Sequence, residues 1–258
     1  METFPPGGIH LERQEGTAWV TIDRPPLNVL DLSAFDRLGA ILKEVVSGPP
    51  CNVVVIGAAG EKAFSAGAHI ADHTSERAPS MLKSFHEVAR ALWRLPAVSV
   101  AAVKGVALGG GMELAMCCDI VLASETATFG QPEIKLGCFP PIAAAMLPAI
   151  IGRARAADLI MTGRTIDGKE AHAMGLVSRL TAPERFDDAV REVVVELKSN
   201  SSAVMRLALK ALRHQQTPAF ERALEENERI YLEELIPLPD ASEGVEAFLQ
   251  KREPRWKS

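Results

Sequence analysis

Two glutamates stand beside glycine turns in this 258-residue chain. The stretch "AVKGVALGGGMELAMCCDI" (102–120) passes from a strand-like run through Gly109, Gly110 and Gly111, then sets Glu113 among apolar residues. Glycines at a strand-to-helix turn leave unpaired N–H groups at the helix start, where the macrodipole favours negative charge. Without a Cβ, a ligand atom can come close to that backbone. A second such turn lies upstream in "EKAFSAGAHIADH" (61–73), where Gly67 and Ala68 follow the strand-like run 52–58. One N–H from each turn would make an oxyanion hole, which stabilises charge developing on a carbonyl oxygen. In "TFGQPEIKLG" (128–137), Glu133 follows a proline in a segment that reads as extended. Two carboxylates near one hole can divide acid and base duties if their environments separate their pKa values. The residues alone leave blander readings open. The glycines also suit a tight turn with no ligand, Ser65 to Ala68 a plain loop, Glu113 a helix-dipole partner and Glu133 a surface carboxylate. A phosphate cradle is excluded by the absence of G-x-x-x-x-G-K-[ST] and G-x-G-x-x-G spacing.

The elements that must hold these groups alternate along the first two-thirds of the chain. "TAWVTID" (17–23), "NVVVIGA" (52–58), "VSVAAVKG" (98–105) and "DIVLAS" (119–124) read as strands. Helical spacing over 32–46, after the candidate caps Asp31 and Ser33, and over 79–95, stopped by Pro96, places helices between them. A further helix runs from about Gly110 to Cys117. This rhythm predicts parallel strands in a repeating βα unit. Beyond about residue 182 four amphipathic helical segments follow with no strand between them. They read as an appendage that packs on another surface, such as a neighbouring subunit.

Bulk composition fits an ordinary globular chain, 47% hydrophobic and 24% charged, with a formal charge of −5. That balance carries no basic footprint for nucleic acid. The start, "METFPPGGIHLERQEG", lacks the pattern of an export signal. Apolar stretches at 98–118 and 142–151 are interrupted by Lys104, Glu113 and Pro148, so no membrane span is expected. Cys51, Cys117, Cys118 and Cys138 form no C-x-x-C pair, which points to reduced thiols in the cytoplasm. "HIADH" spaces His69, Asp72 and His73 like metal ligands, but no further cluster supports a site, and none is expected.

Four blocks resemble the signature of the enoyl-CoA hydratase/isomerase family, the crotonases: "AFSAGAHI", "KGVALGGGMELAMCCDIVLAS", "TFGQPEIKLG" and "LIMTGRTIDGKEAHAMGLVSRL" (159–180). They occur in the family's order and spacing over nearly the whole chain. The resemblance implies an α/β fold, a spiral of repeated ββα units over 1–195, with a helical oligomerisation region over 196–258 that builds trimers or pairs of trimers. It implies an acyl-CoA ligand, with coenzyme A as part of the substrate and no separate cofactor. Carried over by position, the backbone N–H groups of Ala68 and Gly110 match the oxyanion hole, and Glu113 and Glu133 match the two catalytic glutamates of the hydratases. Lys62 and Ala66 fall in the loop that holds the adenine end. Gly67, His69, Gly109 and Pro141 complete the expected substrate-binding set. Lys251, Arg252 and Arg255 are candidates for CoA phosphates.

The chain departs from that pattern after the second glutamate. Ordinary 2-enoyl-CoA hydratases resemble P-G-A-G-G-T there, whereas this chain reads "CFPPIAAAMLP" (138–148). Pro141 replaces a glycine whose N–H helps hold water in those enzymes, and proline has no N–H. Ala143 to Ala145 replace further glycines, so the pocket wall beside Glu133 is tighter. "PEIKLGCFPP" and "PPLNVLD" (25–31) are similar to the branch that hydrates cyclohexa-1,5-diene-1-carbonyl-CoA in aromatic breakdown. Double-bond isomerase, carboxyacyl-CoA decarboxylase and a non-enzymatic binding or scaffold protein are the alternatives. The intact glutamate pair and the lack of a basic stripe stand against them.

Overall fold

The structure, a computed structural model, describes residues 8–257. The expectation of a start without an export signal rests partly on residues 1–7, which lie outside the described residues. An antiparallel hairpin, β1 (Gly8–Gln14) and β2 (Thr17–Asp23), opens the chain and leads into helix α1 (Leu32–Ser47). Asp31 caps α1 by accepting the Ala34 N–H at 2.9 Å.

Three turns of one repeat follow. The first is β3 (Val53–Ala58), β4 (Ala63–Ser65) and α2 (Ala78–Trp93). The second is β5 (Val98–Val103), β6 (Val106–Leu108) and α3 (Gly110–Met116). The third is β7 (Ile120–Ser124), β8 (Thr128–Gly130) and α4 (Pro141–Ile151). The leading strand of each turn joins a six-stranded sheet and the trailing strand a four-stranded one. Neighbouring repeats pair in parallel, β3 with β5 and β5 with β7, and likewise β4 with β6 and β6 with β8. This is the expected spiral of ββα units.

Helix α5 (Arg153–Thr162), β9 (Thr165–Asp167), α6 (Gly168–Met174) and β10 (Arg179–Thr181) complete the body; β9 closes the small sheet and β10 the large one. Side chains alternate across the large sheet as the strand period requires. Val54 and Ile56 enter the main core beside α1 and α2, while Val53 and Val55 meet Phe186, Val190, Val193 and Val194 of α7 (Phe186–Lys198).

The C-terminal helices are α8 (Ser202–Arg213), α9 (Gln216–Arg229) and α10 (Pro239–Leu249), with a π-helical turn over Ile230–Leu235. The expected boundary at 195/196 falls within α7. The appendage expected to pack elsewhere returns largely to its own chain. Phe220 of α9 stacks on Trp93 at 4.7 Å between ring centres, and Phe220, Leu224 and Tyr231 belong to the main core. Among the described residues no helix is long and apolar enough to cross a membrane.

Candidate active site

Chain geometry first brings the two glycine turns together. Gly67 has φ +98°, and a Cβ there would lie 2.7 Å from the Leu108 carbonyl oxygen and 3.2 Å from the Gly110 nitrogen. A Cβ on Gly110 would lie 3.3 Å from the Ala68 nitrogen. At Gly111 a Cβ would overlap the Ser65 carbonyl. Only glycine permits this approach of α3 to the exit of β4. Around Ala68 the chain pairs with Leu30, whose N–H donates to Gly67 O and whose carbonyl accepts from His69 N–H, both at 2.9 Å. The Ala68 N–H takes no part in that pairing. Gly110 is the first residue of α3, so its N–H has no acceptor within the helix. Two amides thus converge on one point from separate turns.

Glu113 lies in the first turn of α3 and is 3% exposed. Its carboxylate reaches the start of α4, where Oε1 accepts the Ala143 N–H at 2.8 Å and the Ile142 N–H is a second backbone donor. Pro140 and Pro141 occupy the cap and first position of α4 and have no N–H to give. The carboxylate therefore caps a neighbouring helix as a capping side chain does within its own. Burial pushes the Glu113 pKa up to about 7, and those two amides hold it from going higher.

Glu133 corrects one expectation. It sits on a 3₁₀ turn, Pro132–Leu136, and not in an extended segment, because Gly137 at φ +70° ends a helical turn opened by Pro132. Glu133 is 7% exposed, and the Gln131 side-chain amide lies 3.1 Å from both its oxygens, turned so that its nitrogen donates to them when Glu133 is ionised. Burial raises its pKa well above the usual carboxylate range, and the charge of Glu113 raises it further. Gly109, at φ +52°, makes the space: a Cβ there would lie 2.5 Å from Glu133 Oε1.

Both glutamates face one cavity of about 660 Å³. Residues 66–69, Gly109, Gly110 and Pro141 are among its lining. Lys62 is exposed and does not line the cavity; its carbonyl accepts the Val106 N–H at 3.0 Å where β4 meets β6. Arg252 lines the cavity with its guanidinium paired to Glu243. Of the three residues spaced like metal ligands, Asp72 pairs with Arg77 at 2.9 Å, His73 bonds the Tyr231 hydroxyl at 2.9 Å, and His69 lines the cavity.

The sequence did not mark Gln131 or Tyr231, and it marked His73 only by its spacing from His69 and Asp72. Gln131 stands two residues before Glu133, a spacing that could have drawn notice, whereas nothing local links His73 to Tyr231 across 158 positions.

The chain matches the family described as Enoyl-CoA hydratase/isomerase over residues 12–258. The chain belongs to that family. As an enzyme of the family it is 35% identical to a cyclohexa-1,5-dienecarbonyl-CoA hydratase of Thauera aromatica, over 100% of this chain and 99% of the other. It is 37% identical to a probable enoyl-CoA hydratase of Mycobacterium bovis, covering 96% and 97%. Among solved structures, an enoyl-CoA hydratase from Mycobacterium avium subsp. paratuberculosis superposes with a TM-score of 0.88 at 31% identity, covering 98% and 100%.

Raised carboxyl pKa values have a consequence for stability. Between about pH 4.5 and 7 the folded protein keeps a proton on Glu113 that the unfolded chain releases. Stability from this group therefore falls as pH rises through that window. Thermal unfolding at pH 5, 6 and 7 is expected to show a smaller fall in Glu113→Gln, by up to about 1.4 kcal/mol per pH unit. Equal slopes in the two proteins would contradict the raised pKa.

Proposed function

We propose that the protein is an acyl-CoA hydro-lyase that adds water across a double bond conjugated to a CoA thioester, or removes it in reverse. The single observation that carries this reading is that the backbone turns at Ala68 and Gly110 and two buried carboxyls line one cavity. The thioester oxygen rests against the N–H groups of Ala68 and Gly110, which draw electron density from the β-carbon and then hold the enolate oxygen. Glu113, whose carboxylate is held by the Ala143 amide at the start of α4, takes a proton from water as the water oxygen bonds to the β-carbon. Glu133 gives a proton to the α-carbon as the enolate collapses. Water has then been added as hydrogen and hydroxyl, and the proton left on Glu113 passes on to restore Glu133. No cofactor is needed beyond the coenzyme A that the substrate carries.

For the acyl group we propose a cyclic dienoyl thioester. Three observations support it: the rigid Pro140–Pro141 wall beside the glutamates, the alanines that replace open glycine positions in α4, and the similarity to the cyclic-diene hydratase of Thauera aromatica. The proposal includes a homo-oligomer, trimer or pair of trimers, because α8 buries only Leu209 on its own chain and leaves Val204, Leu207 and Leu212 each more than 60% exposed. Four free thiols suit a cytoplasmic location.

Loss of conjugated thioester absorbance tests the reaction. Cyclohexa-1,5-diene-1-carbonyl-CoA is expected to be consumed at least about tenfold faster than crotonyl-CoA, since a rigid pocket discriminates on this scale. Equal rates would remove the cyclic assignment. Glu113→Gln and Glu133→Gln are each expected to lower kcat by about 10²–10⁴, and an unchanged rate would refute the assigned role. In sedimentation equilibrium the particle is expected at three or six chain masses, and a monomer would contradict the assembly.

A further inference from the structure

His73 and Tyr231 both line the cavity and are joined, imidazole Nδ1 to phenol hydroxyl, at 2.9 Å. One comes from the 3₁₀ turn Ile70–His73 that follows the Ala68 amide, the other from the π-helical turn after α9. Tyr231 is 1% exposed, and its ring tilts against Phe139 with centres 5.3 Å apart. Burial pushes the His73 pKa down to about 4 and the Tyr231 pKa up, so both are uncharged at neutral pH. The surrounding wall is hydrocarbon, with Met81, Leu82, Leu136 and Pro140.

This pair supports neither glutamate. The donors to Glu113 are the Ile142 and Ala143 amides, and the donor to Glu133 is Gln131. It therefore lies outside the acid–base machinery while sharing its cavity. An uncharged hydrogen-bonding pair in an apolar wall is unfavourable against a plain hydrocarbon ligand, because its remaining capacity goes unmet. That capacity is the second imidazole nitrogen and a lone pair of the hydroxyl. A ligand oxygen meets it with no change of charge.

We infer that His73 and Tyr231 are specificity-determining residues, and that the preferred substrate is a cyclic 2-enoyl-CoA whose ring bears a hydroxyl or oxo group away from the thioester. The inference rests on the proposed hydration of a ring thioester and adds the polar substituent. A role as a mere cross-link between two cavity walls predicts no dependence on that oxygen.

The full chain is assayed with cyclohex-1-ene-1-carbonyl-CoA and with its 4-hydroxy, 5-hydroxy and 4-oxo derivatives. At least one oxygenated ring is expected to show kcat/KM about tenfold or more above the plain ring, the scale on which an unmet polar group discriminates. Tyr231→Phe and His73→Leu are expected to bring that ratio to within about twofold of one. A wild-type ratio near one overturns the inference, and so do variants in which all rates fall together with the ratio kept. Should a variant not fold, the wild-type ratio decides alone. Turnover of cyclohexa-1,5-diene-1-carbonyl-CoA with none of the ring monoenes also overturns the inference, whereas failure to consume the diene, every ring monoene and crotonyl-CoA would instead overturn the hydratase reading.

Discussion

The close approach of two strand exits governs this site. Where β4 leaves its sheet at Ser65 and α3 begins at Gly110, the backbones come nearer than any side chain allows. Gly67, Gly109 and Gly111 each stand where a Cβ would strike a carbonyl or the Glu133 carboxylate. The repeat makes the approach possible, since β4 and β6 lie side by side in the small sheet and their exits meet at one edge. The backbones of Ala68 and Gly110 then lie side by side, each with an N–H outside regular pairing. Glycine's entropic cost, about 0.5–1 kcal/mol per residue against alanine in regular structure, is offset by this convergence.

The same packing separates the two carboxyls. Both are withdrawn from water, which raises both pKa values, but their hydrogen-bond donors differ. Glu113 meets the amides at the start of α4, where the helix field favours its anion. Glu133 meets a neutral amide side chain and the repulsion of its neighbour. Two prolines at the start of α4 sharpen this division. Lacking N–H groups, they confine the donor set to Ile142 and Ala143 and present a rigid hydrocarbon wall to the cavity.

Much of this was legible in the chain because it is local. The glycine run, the helix it opens and the buried Glu113 fall within eight residues, and long apolar strands such as 52–58 announce themselves. The small sheet was not legible. Strands β4, β6, β8 and β9 have three residues each, too few for alternation to show, and they exist through pairing with one another. Proline before Glu133 suggested extended backbone, yet Gly137 four residues on closes a helical turn, and α10 supports that turn, with Gly244 close against the Leu136 carbonyl. His73 and Tyr231 meet only because the C-terminal helices fold back on their own chain, which amphipathic spacing alone does not reveal.

The account stands on a thioester carbonyl held by the amides of Ala68 and Gly110, and the vibration of that carbonyl reports it directly. The infrared stretch of a carbonyl-¹³C-labelled enoyl-CoA bound to the slow Glu113→Gln protein is expected at lower wavenumber than in water, because two fixed donors polarise the bond more than mobile solvent does. A stretch at or above its value in water would contradict the oxyanion hole, and with it the reaction built on it.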